Sequence, residues 1–253
     1  MTYNLIINRD SPPFNDERVR AALALTLDRK SFVDITSEGQ DIIGGSMLPP
    51  PAGVWGVGAA ALKDLPGYGG DVEAAREKGR ALMRDAGYGP DKRLKIKVST
   101  RNIASYSDLA VIMIDQLRHI YIDGELELID SAVYFNRLYQ KQYVLVVNAT
   151  GSSLDDPDQH FAENYGCSAP RNFNGYCNPA LTTLIAAQSR ERDVANRQAI
   201  VRDIEPRLVE DTVRPIFSHT VAAACQQASV RGLTIMVNSI YNGWRFEDVW
   251  LDR

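Results

Sequence analysis

Several features that mark common classes of protein are absent from this sequence of 253 residues. Its charged residues are mixed along the chain without a long block of one sign, which argues against a nucleic acid as the main partner. The densest apolar stretch, residues 109–114, is interrupted at once by Asp115 and is far too short to span a membrane. We therefore expect a globular chain that does not act on nucleic acids.

Catalytic and nucleotide-binding motifs are also lacking. The three histidines show no HExxH spacing, and residues 67–70 lack the lysine of a phosphate-binding loop. Residues 151–155 lack the second glycine of a nucleophile elbow. A small α/β hydrolase that uses Ser152, with His160 and Asp156 completing a triad, is the alternative function from a different class. Near neighbours in sequence rarely supply all three members of a triad.

One acidic cluster, formed by Asp155, Asp156 and Asp158, could hold a hard cation through its carboxylate oxygens. The cluster lacks the glycine turn and the distal glutamate of a calcium loop. Asp156 followed by Pro157 is also typical of a helix start, with the aspartate as cap and the proline as first helical residue. The sequence therefore predicts neither a metal site nor a cofactor.

The pattern that is present alternates between helix and strand. With 45% apolar residues the chain can bury a sizeable core. Helical spacing and strand-like alternation follow each other along residues 71–147, which predicts an α/β domain with a largely parallel sheet. Further strands are predicted at residues 215–218, 221–225 and 233–237.

The polar segment after residues 143–147 is the main candidate for a binding site. That short apolar run favours a buried strand, and Asn148, Ser152, Ser153 and Asp155 follow it with polar side chains. Open α/β sheets hold ligands beyond the carboxyl ends of their strands. We therefore expect these four residues to face a ligand.

Two residues outside this segment are further candidates. Residues 38–70 contain many glycines and prolines and predict a long loop. Trp55 in this loop could form an apolar wall of a ligand site, or it could pack the loop onto its own domain. Arg137, on a predicted helix, could contact the ligand or lie on a solvated face.

Two motifs resemble those of the bacterial solute-binding proteins of family 5, the peptide- and nickel-binding class that supplies ABC importers. The first is PPFNDERVRAAL at residues 12–23, followed by LDR at 27–29. The second is DDPDQHF at residues 155–161, followed by Cys167, the NGY of 174–176 and Asn178-Pro179. The resemblance implies one lobe of a two-lobed periplasmic binding protein of class II type, with a mixed, mostly parallel sheet flanked by helices.

The resemblance also implies an organisation and a function. Residues 1–253 would form a single lobe, the carboxyl-terminal one, and residues 230–253 would lead back to an amino-terminal lobe that this sequence lacks. The amino terminus shows no secretory signal, so we expect Met1 to be an internal methionine or an artificial start. The complete protein would capture a small polar solute in the periplasm and deliver it to the membrane subunits of an ABC permease, without catalysis.

The same resemblance implies roles for single residues. Family members often carry a disulfide at the places of Cys167 and Cys177, so we expect this pair and an unpaired Cys225; two reduced thiols are the alternative. In peptide-binding members, an aspartate four positions before the proline of the second motif pairs with the peptide amino group. Counting back from Pro157 gives Ser153, which cannot supply that charge. We therefore expect an opine-like, sugar-like or other polar solute, unless a shifted register lets Asp155 take this place.

Overall fold

A computed structural model describes residues 1–151, 154–236 and 239–252 of the chain. The helices are α1 (Glu17–Thr26), α2 (Arg29–Ser37), α3 (Ala59–Leu62), α4 (Val72–Asp85), α5 (Ala104–Arg118), α6 (Ser131–Tyr139), α7 (Pro157–Asn164), α8 (Pro179–Arg190), α9 (Val194–Glu210) and a final 3₁₀ helix, Ser239–Asp248. The strands are β1 (Thr2–Ile7), β2 (Leu94–Arg101), β3 (Ile122–Ile129), β4 (Leu145–Thr150), β5 (Ile216–His219), β6 (Val230–Arg231) and β7 (Trp250–Leu251).

The main sheet has the strand order β3-β2-β4-β1-β5. Strand β2 pairs in parallel with both β3 and β4, whereas β1 runs antiparallel to its neighbours β4 and β5. Four of these five strands therefore run in one direction, and the sheet is the mixed, mostly parallel one that the sequence predicts. Because β1 is reversed, its first residue, Thr2, lies beside Thr150 at the end of β4 and His219 at the end of β5.

Short polar side chains begin most of the helices around this sheet. The Asp71 carboxylate accepts a hydrogen bond from the Ala74 amide at the start of α4, and Asn178 caps α8 in the same way. At the start of α7, Asp156 accepts from the Asp158 amide and Pro157 occupies the first turn, as the sequence predicts. These caps fix where each chain segment leaves the sheet and turns into a helix.

Apolar side chains form a core on each side of the sheet and a further core among the last helices. The largest core joins inner faces of β1, β2 and β4 to α1 and α5, and the stacked rings of Phe32 and Phe217 lie within it, 4.3 Å apart. A second core lies among α7, α8 and α9 and includes Met47 and Trp55 from the long loop after α2. This loop is therefore fixed to the helices by buried side chains.

The segment after β5 differs from its sequence prediction. Residues 221–225 and 233–236 are not strands; in the described part of this segment the strands are β6 and β7, which pair with each other. Residues 221–225 are exposed and mostly alanine, so they have little apolar surface with which to join a sheet. None of the helices in the described ranges is long and apolar enough to cross a membrane.

A disulfide closes the loop between α7 and α8. Cys167 and Cys177 are bonded, with their Cα atoms 4.3 Å apart, and Cys225 is free and exposed. Inside this loop the Asn172 side chain donates to the Tyr176 carbonyl at 2.6 Å and accepts from the Tyr176 amide at 3.1 Å. The covalent bond and this pair of hydrogen bonds fix the same turn.

Candidate functional site

A large cavity of about 960 Å³ opens at the edge of the sheet where β1 begins and β4 and β5 end. The strand edge contributes Thr2, Thr150 and His219 to its lining. The loop after α2 and the start of α7 form further walls, and exposed residues that follow β5 line the remaining side. The volume is within the range of small-molecule sites.

The strand-edge wall is fixed by the buried His219. Its Nε2 lies 3.1 Å from the Gly45 carbonyl oxygen and its Nδ1 lies 2.9 Å from the Thr2 hydroxyl. A carbonyl can only accept, so Nε2 carries the proton and Nδ1 accepts from Thr2. Burial lowers the pKa of His219 to about 4, and the ring is therefore neutral near pH 7.

Asp155 is the carboxylate that the described structure places in the cavity lining. Its Oδ2 accepts a hydrogen bond from the Val54 amide at 2.9 Å, and its backbone carbonyl accepts from the Trp55 indole at 2.8 Å. Burial raises the pKa of Asp155, as does the neighbouring charge of Asp156, while the bond from Val54 lowers it. The carboxylate is thus partly desolvated, and a hydrogen-bond donor or a cation in the cavity would stabilise its charge.

A buried glutamate fixes the loop wall. Glu205 of α9 accepts hydrogen bonds from the amides of Met47 and Val57, both at 2.7 Å, and from the Ser46 hydroxyl at 3.0 Å. Ser46 and Met47 line the cavity. Burial raises the pKa of Glu205 to about 7, although all three bonds favour the charged form. The position of this wall therefore depends on one side chain that lies behind it.

Sequence reasoning did not identify Glu205. A signal for it exists, because Val201, Glu205 and Leu208 follow helical spacing on the buried face of α9. A carboxylate at such a position needs donors from another part of the chain, since burying it alone is costly. The sequence could have marked Glu205 as an unusual residue but not named its partners.

Trp55 belongs to the core among the last helices rather than to the cavity lining. It is buried, and the Arg197 guanidinium lies over its ring at 4.8 Å. The neighbouring Val54 carbonyl accepts from the Gln198 side chain at 2.9 Å. In this structure Trp55 packs the loop onto its own domain, which is the second of the two roles that the sequence left open.

Asn148 lies within β4 and is buried. Its Oδ1 accepts from the Tyr134 hydroxyl at 2.8 Å, and its amide nitrogen donates to Asn4 at 3.4 Å and to the Thr150 hydroxyl at 3.3 Å. Of these residues, Thr150 reaches the cavity lining. Asn148 therefore lies behind the strand edge, and in this structure it is hydrogen-bonded to protein groups.

Arg137 is placed far from the cavity along the sheet. It lies on α6, pairs with Glu127 of β3 at 3.3 Å and donates to the Gln142 carbonyl at 3.2 Å. Strand β3 forms the edge of the sheet opposite β5. The structure thus separates Arg137 from Asp155.

The two serines of the predicted site, Ser152 and Ser153, lie outside the described residues. His160, the proposed base of a hydrolase, lines the cavity and is buried, and desolvation is the main reason that its pKa falls to about 3. Asp156 forms a bidentate ion pair with Arg197, at 2.7 and 2.9 Å, besides capping α7. The Asp156 carboxylate is thus already paired with Arg197. The structure gives no support to the hydrolase alternative.

Comparison with known proteins identifies the family of this chain. Residues 1–172 match the family model described as bacterial extracellular solute-binding proteins, family 5 middle. The chain belongs to this family. The match includes β1 to β4, the whole loop after α2 and all of α7, and so it contains about half of the residues that line the cavity.

Relatives with similar sequences are peptide-binding proteins by name. The chain is 23% identical over 241 residues to a probable di/tripeptide-binding protein of Pseudomonas aeruginosa, covering 93% of this chain and 43% of that protein. It is 24% identical over 223 residues to the periplasmic oligopeptide-binding protein of Escherichia coli, covering 87% and 40%. The chain thus spans less than half the length of these relatives.

Solved structures agree on the fold. The murein tripeptide binding protein of Escherichia coli matches with a TM-score of 0.79 at 19% identity, covering 92% of this chain and 45% of that one. An oligopeptide-binding protein of Haemophilus influenzae in complex with the peptide RPPGFSPFR matches with a TM-score of 0.80 at 17% identity, covering 100% and 48%. Both are similar to this chain over about half of their own length.

Proposed function

We propose that this chain is one lobe of the substrate-binding component of an ABC importer and that its solute occupies the cavity beside Asp155. A second lobe would close over the solute and complete the site. The observation that carries the proposal is the partly desolvated carboxylate of Asp155 in a cavity of about 960 Å³, in a chain of the solute-binding family. The names and folds of the relatives support the same function.

Closure of two lobes explains why a single lobe can offer such an open site. In hinge-type binding proteins the ligand is buried only when the lobes meet, and the closed form can then be recognised by a partner. A lone lobe supplies part of the contacts and leaves the solute exposed to water. We therefore expect weak binding by the 253-residue chain, in the millimolar range, about −4 kcal/mol.

The solute that fits this cavity is polar and carries a hydrogen-bond donor or a positive charge. Asp155 retains acceptor capacity besides the bond from Val54, and Thr150 adds a hydroxyl nearby in the lining. The family resemblance implies that Ser153 takes the place of the aspartate of peptide-binding members, so an opine-like, sugar-like or other polar solute is our expectation. If Asp155 takes the role of that aspartate, a peptide amino group would be bound instead.

Calorimetry with a panel of solutes tests this proposal. The panel contains trialanine, N-acetyl-trialanine, octopine and simple sugars, each titrated into the chain and into its Asp155→Asn variant. We expect a polar member other than trialanine to bind, and the substitution to weaken it roughly 10- to 100-fold through loss of a charge-assisted hydrogen bond. Arg137→Gln, a charge change distant from the cavity, is the matched control.

The panel also separates the two possible solute classes. Binding of trialanine that is lost on acetylation and in Asp155→Asn would show that Asp155 holds a peptide amine, and the expectation of a non-peptide solute would be wrong. Binding that is equal in Asp155→Asn and in the parent chain would contradict the site itself. Recovery of the solute chemically unchanged agrees with binding without turnover.

The proposal extends to the cellular partners. The relatives named periplasmic and the family description, which names extracellular proteins, support an extracytoplasmic location. A structural neighbour described as an ABC transporter-associated periplasmic binding protein supports delivery to membrane subunits of an importer. We propose that residues 1–253 form one lobe and that residues 230–253 lead back towards the second lobe. Co-purification of the complete protein with an ABC permease would test this directly.

A further inference from the structure

A second, much smaller cavity of about 20 Å³ lies inside the protein. It is lined by two arginines, Arg29 of α2 and Arg214 just before β5, together with Tyr165 at the end of α7. All three side chains are at most 5% exposed. Buried guanidinium groups are normally paired with carboxylates, because an isolated charge is costly to remove from water.

The partners of both arginines in the described structure are neutral. Arg29 donates to the carbonyls of Ile216, at 2.7 Å, and Gly67. Arg214 donates to the Asn164 side chain at 2.8 Å and to the Arg171 carbonyl at 3.2 Å. Burial lowers the pKa of both guanidinium groups, and the nearby charge of Arg171 lowers that of Arg214 further. The Tyr68 ring, 3.7 Å from Arg29, and the Tyr165 ring, 5.4 Å from Arg214, stabilise the two cations without cancelling their charge. The region therefore carries a positive charge that these contacts do not neutralise.

Two buried donors at this cavity lack an acceptor. The Tyr165 hydroxyl and the Arg214 Nε have no hydrogen-bond partner within the described part of the chain. An unsatisfied buried donor costs about 1–3 kcal/mol and calls for an explanation. Both residues line the cavity, so one occupant between them could accept from both.

The buried carboxylate of α9 does not fill this role. Glu205 accepts from Ser46, which lines the small cavity, but its oxygens also hold the amides of Met47 and Val57. The Glu205 carboxylate thus holds the loop after α2, as described above. Among the described residues Glu205 thus leaves both donors without an acceptor, and an ion from solution can supply one.

We propose that this cavity binds one monoatomic anion, of the halide class, between the Arg214 guanidinium and the Tyr165 hydroxyl. The volume admits a particle of about the size of a water molecule, which needs roughly 10–15 Å³, and is small for a tetrahedral oxyanion such as sulfate or phosphate. A water molecule could accept both hydrogen bonds but would leave the charge of the arginines in place. A halide accepts both and neutralises one charge.

Bromide is the probe, because it scatters anomalously. Crystals of the chain grown in sodium bromide should show an anomalous peak within hydrogen-bond distance of the Tyr165 hydroxyl and the Arg214 guanidinium. Density for a water molecule there, with bromide bound only elsewhere, would overturn the proposal. An empty cavity would overturn it as well.

Thermal unfolding gives the matched solution test. In sodium bromide or chloride we expect a saturable rise of the melting temperature over sodium gluconate at equal ionic strength, about 3–5 °C at ten times the dissociation constant. Tyr165→Phe removes only the unpartnered hydroxyl, so it should fold, melt no lower than the parent in gluconate and lose most of the halide effect.

The control is Tyr134→Phe, which removes a buried hydroxyl that is bonded to Asn148 at 2.8 Å. It should lower the melting temperature equally in all salts and keep the halide effect. A halide effect that is identical in the parent and in Tyr165→Phe, or no halide effect at all, would contradict the proposal.

Discussion

Glu205 on α9 accepts a hydrogen bond of 2.7 Å from the amide of Val57, which lies 148 positions earlier in the chain. With the bonds from Ser46 and Met47, this contact ties the loop after α2 to the helix behind it. The loop contains many glycines and prolines and has little regular structure of its own. One wall of the large cavity thus depends on the protonation state and geometry of a single buried carboxyl group.

Glu205 should make the stability of the protein depend on pH. Its pKa is about 7 in the folded protein, against an ordinary value of 4.5. Because the folded pKa is raised, the contribution is complete below pH 4.5 and is lost as the pH rises through 7, by roughly 3 kcal/mol. Urea unfolding of the parent and of Glu205→Gln at pH 4.5, 6 and 8 measures it. The substitution should remove this part of the pH dependence.

Glu210→Gln, an exposed change on the same helix, is the control for that experiment. It should leave the pH dependence of unfolding as it is in the parent. If the free energies of unfolding of the parent and of Glu205→Gln changed in parallel with pH, Glu205 would titrate normally. The claim that burial raises its pKa would then be wrong.

His219 should act in the opposite direction. Burial lowers its pKa from 6.5 to about 4, so its contribution is complete above pH 6.5 and is lost as the pH falls through 4, again by roughly 3 kcal/mol. Between pH 4.5 and 6.5 it offsets the effect of Glu205. His219→Gln should therefore reveal a steeper loss of stability with rising pH than the parent shows in the same urea titration. An unchanged slope would contradict this assignment.

The ion pair of Asp156 and Arg197 should stabilise the start of α7. Both oxygens of Asp156 are engaged, and the two side chains are partly buried. Asp156→Asn keeps a capping oxygen but removes the charge, and we expect a loss of about 1–2 kcal/mol in the free energy of unfolding. Asp203→Asn breaks an exposed pair with Arg207 and should cost only a few tenths. Equal losses in the two variants would argue that the partly buried pair of Asp156 and Arg197 is no more important than the exposed one.

The disulfide between Cys167 and Cys177 should stabilise the protein by roughly 2–3 kcal/mol, because it closes a short loop in the unfolded chain. Thiol titration of the denatured, unreduced chain should find one free group, Cys225, and three after reduction. The double change of Cys167 and Cys177 to serine should lower the free energy of unfolding, while Cys225→Ser should not. Three free thiols before reduction would show that the bond does not form.

The sequence predicted the elements that are determined by local chemistry. Asp156 with Pro157 and Asn178 with Pro179 marked the starts of α7 and α8 because the capping residues make their bonds within one turn. The alternation of patterns predicted the α/β sheet for the same reason. The prediction of a strand at residues 221–225 was wrong, although their alanine content, which is unfavourable in strands, was a local sign against it.

The walls of the cavity depend on contacts that no local pattern contains. Trp55 and Asp155 are joined by a hydrogen bond across a separation of 100 positions, and Glu205 reaches the loop across about 150. Because β1 runs antiparallel to β5, Thr2 lies beside His219, although these residues belong to the first and the last strand of the main sheet in chain order. Such pairings follow from the fold, so the sequence could name Asp155 as a candidate but not the wall around it.

The most direct test of the solute-binding account is an NMR titration of the isotopically labelled chain with the tightest member of the solute panel. We predict that the amide signals of Thr150, Asp155 and Ser46 shift progressively, that those of Arg137 and Glu127 stay fixed, and that Asp155→Asn abolishes the shifts. Shifts that map to a different surface, and that persist in Asp155→Asn, would contradict the account.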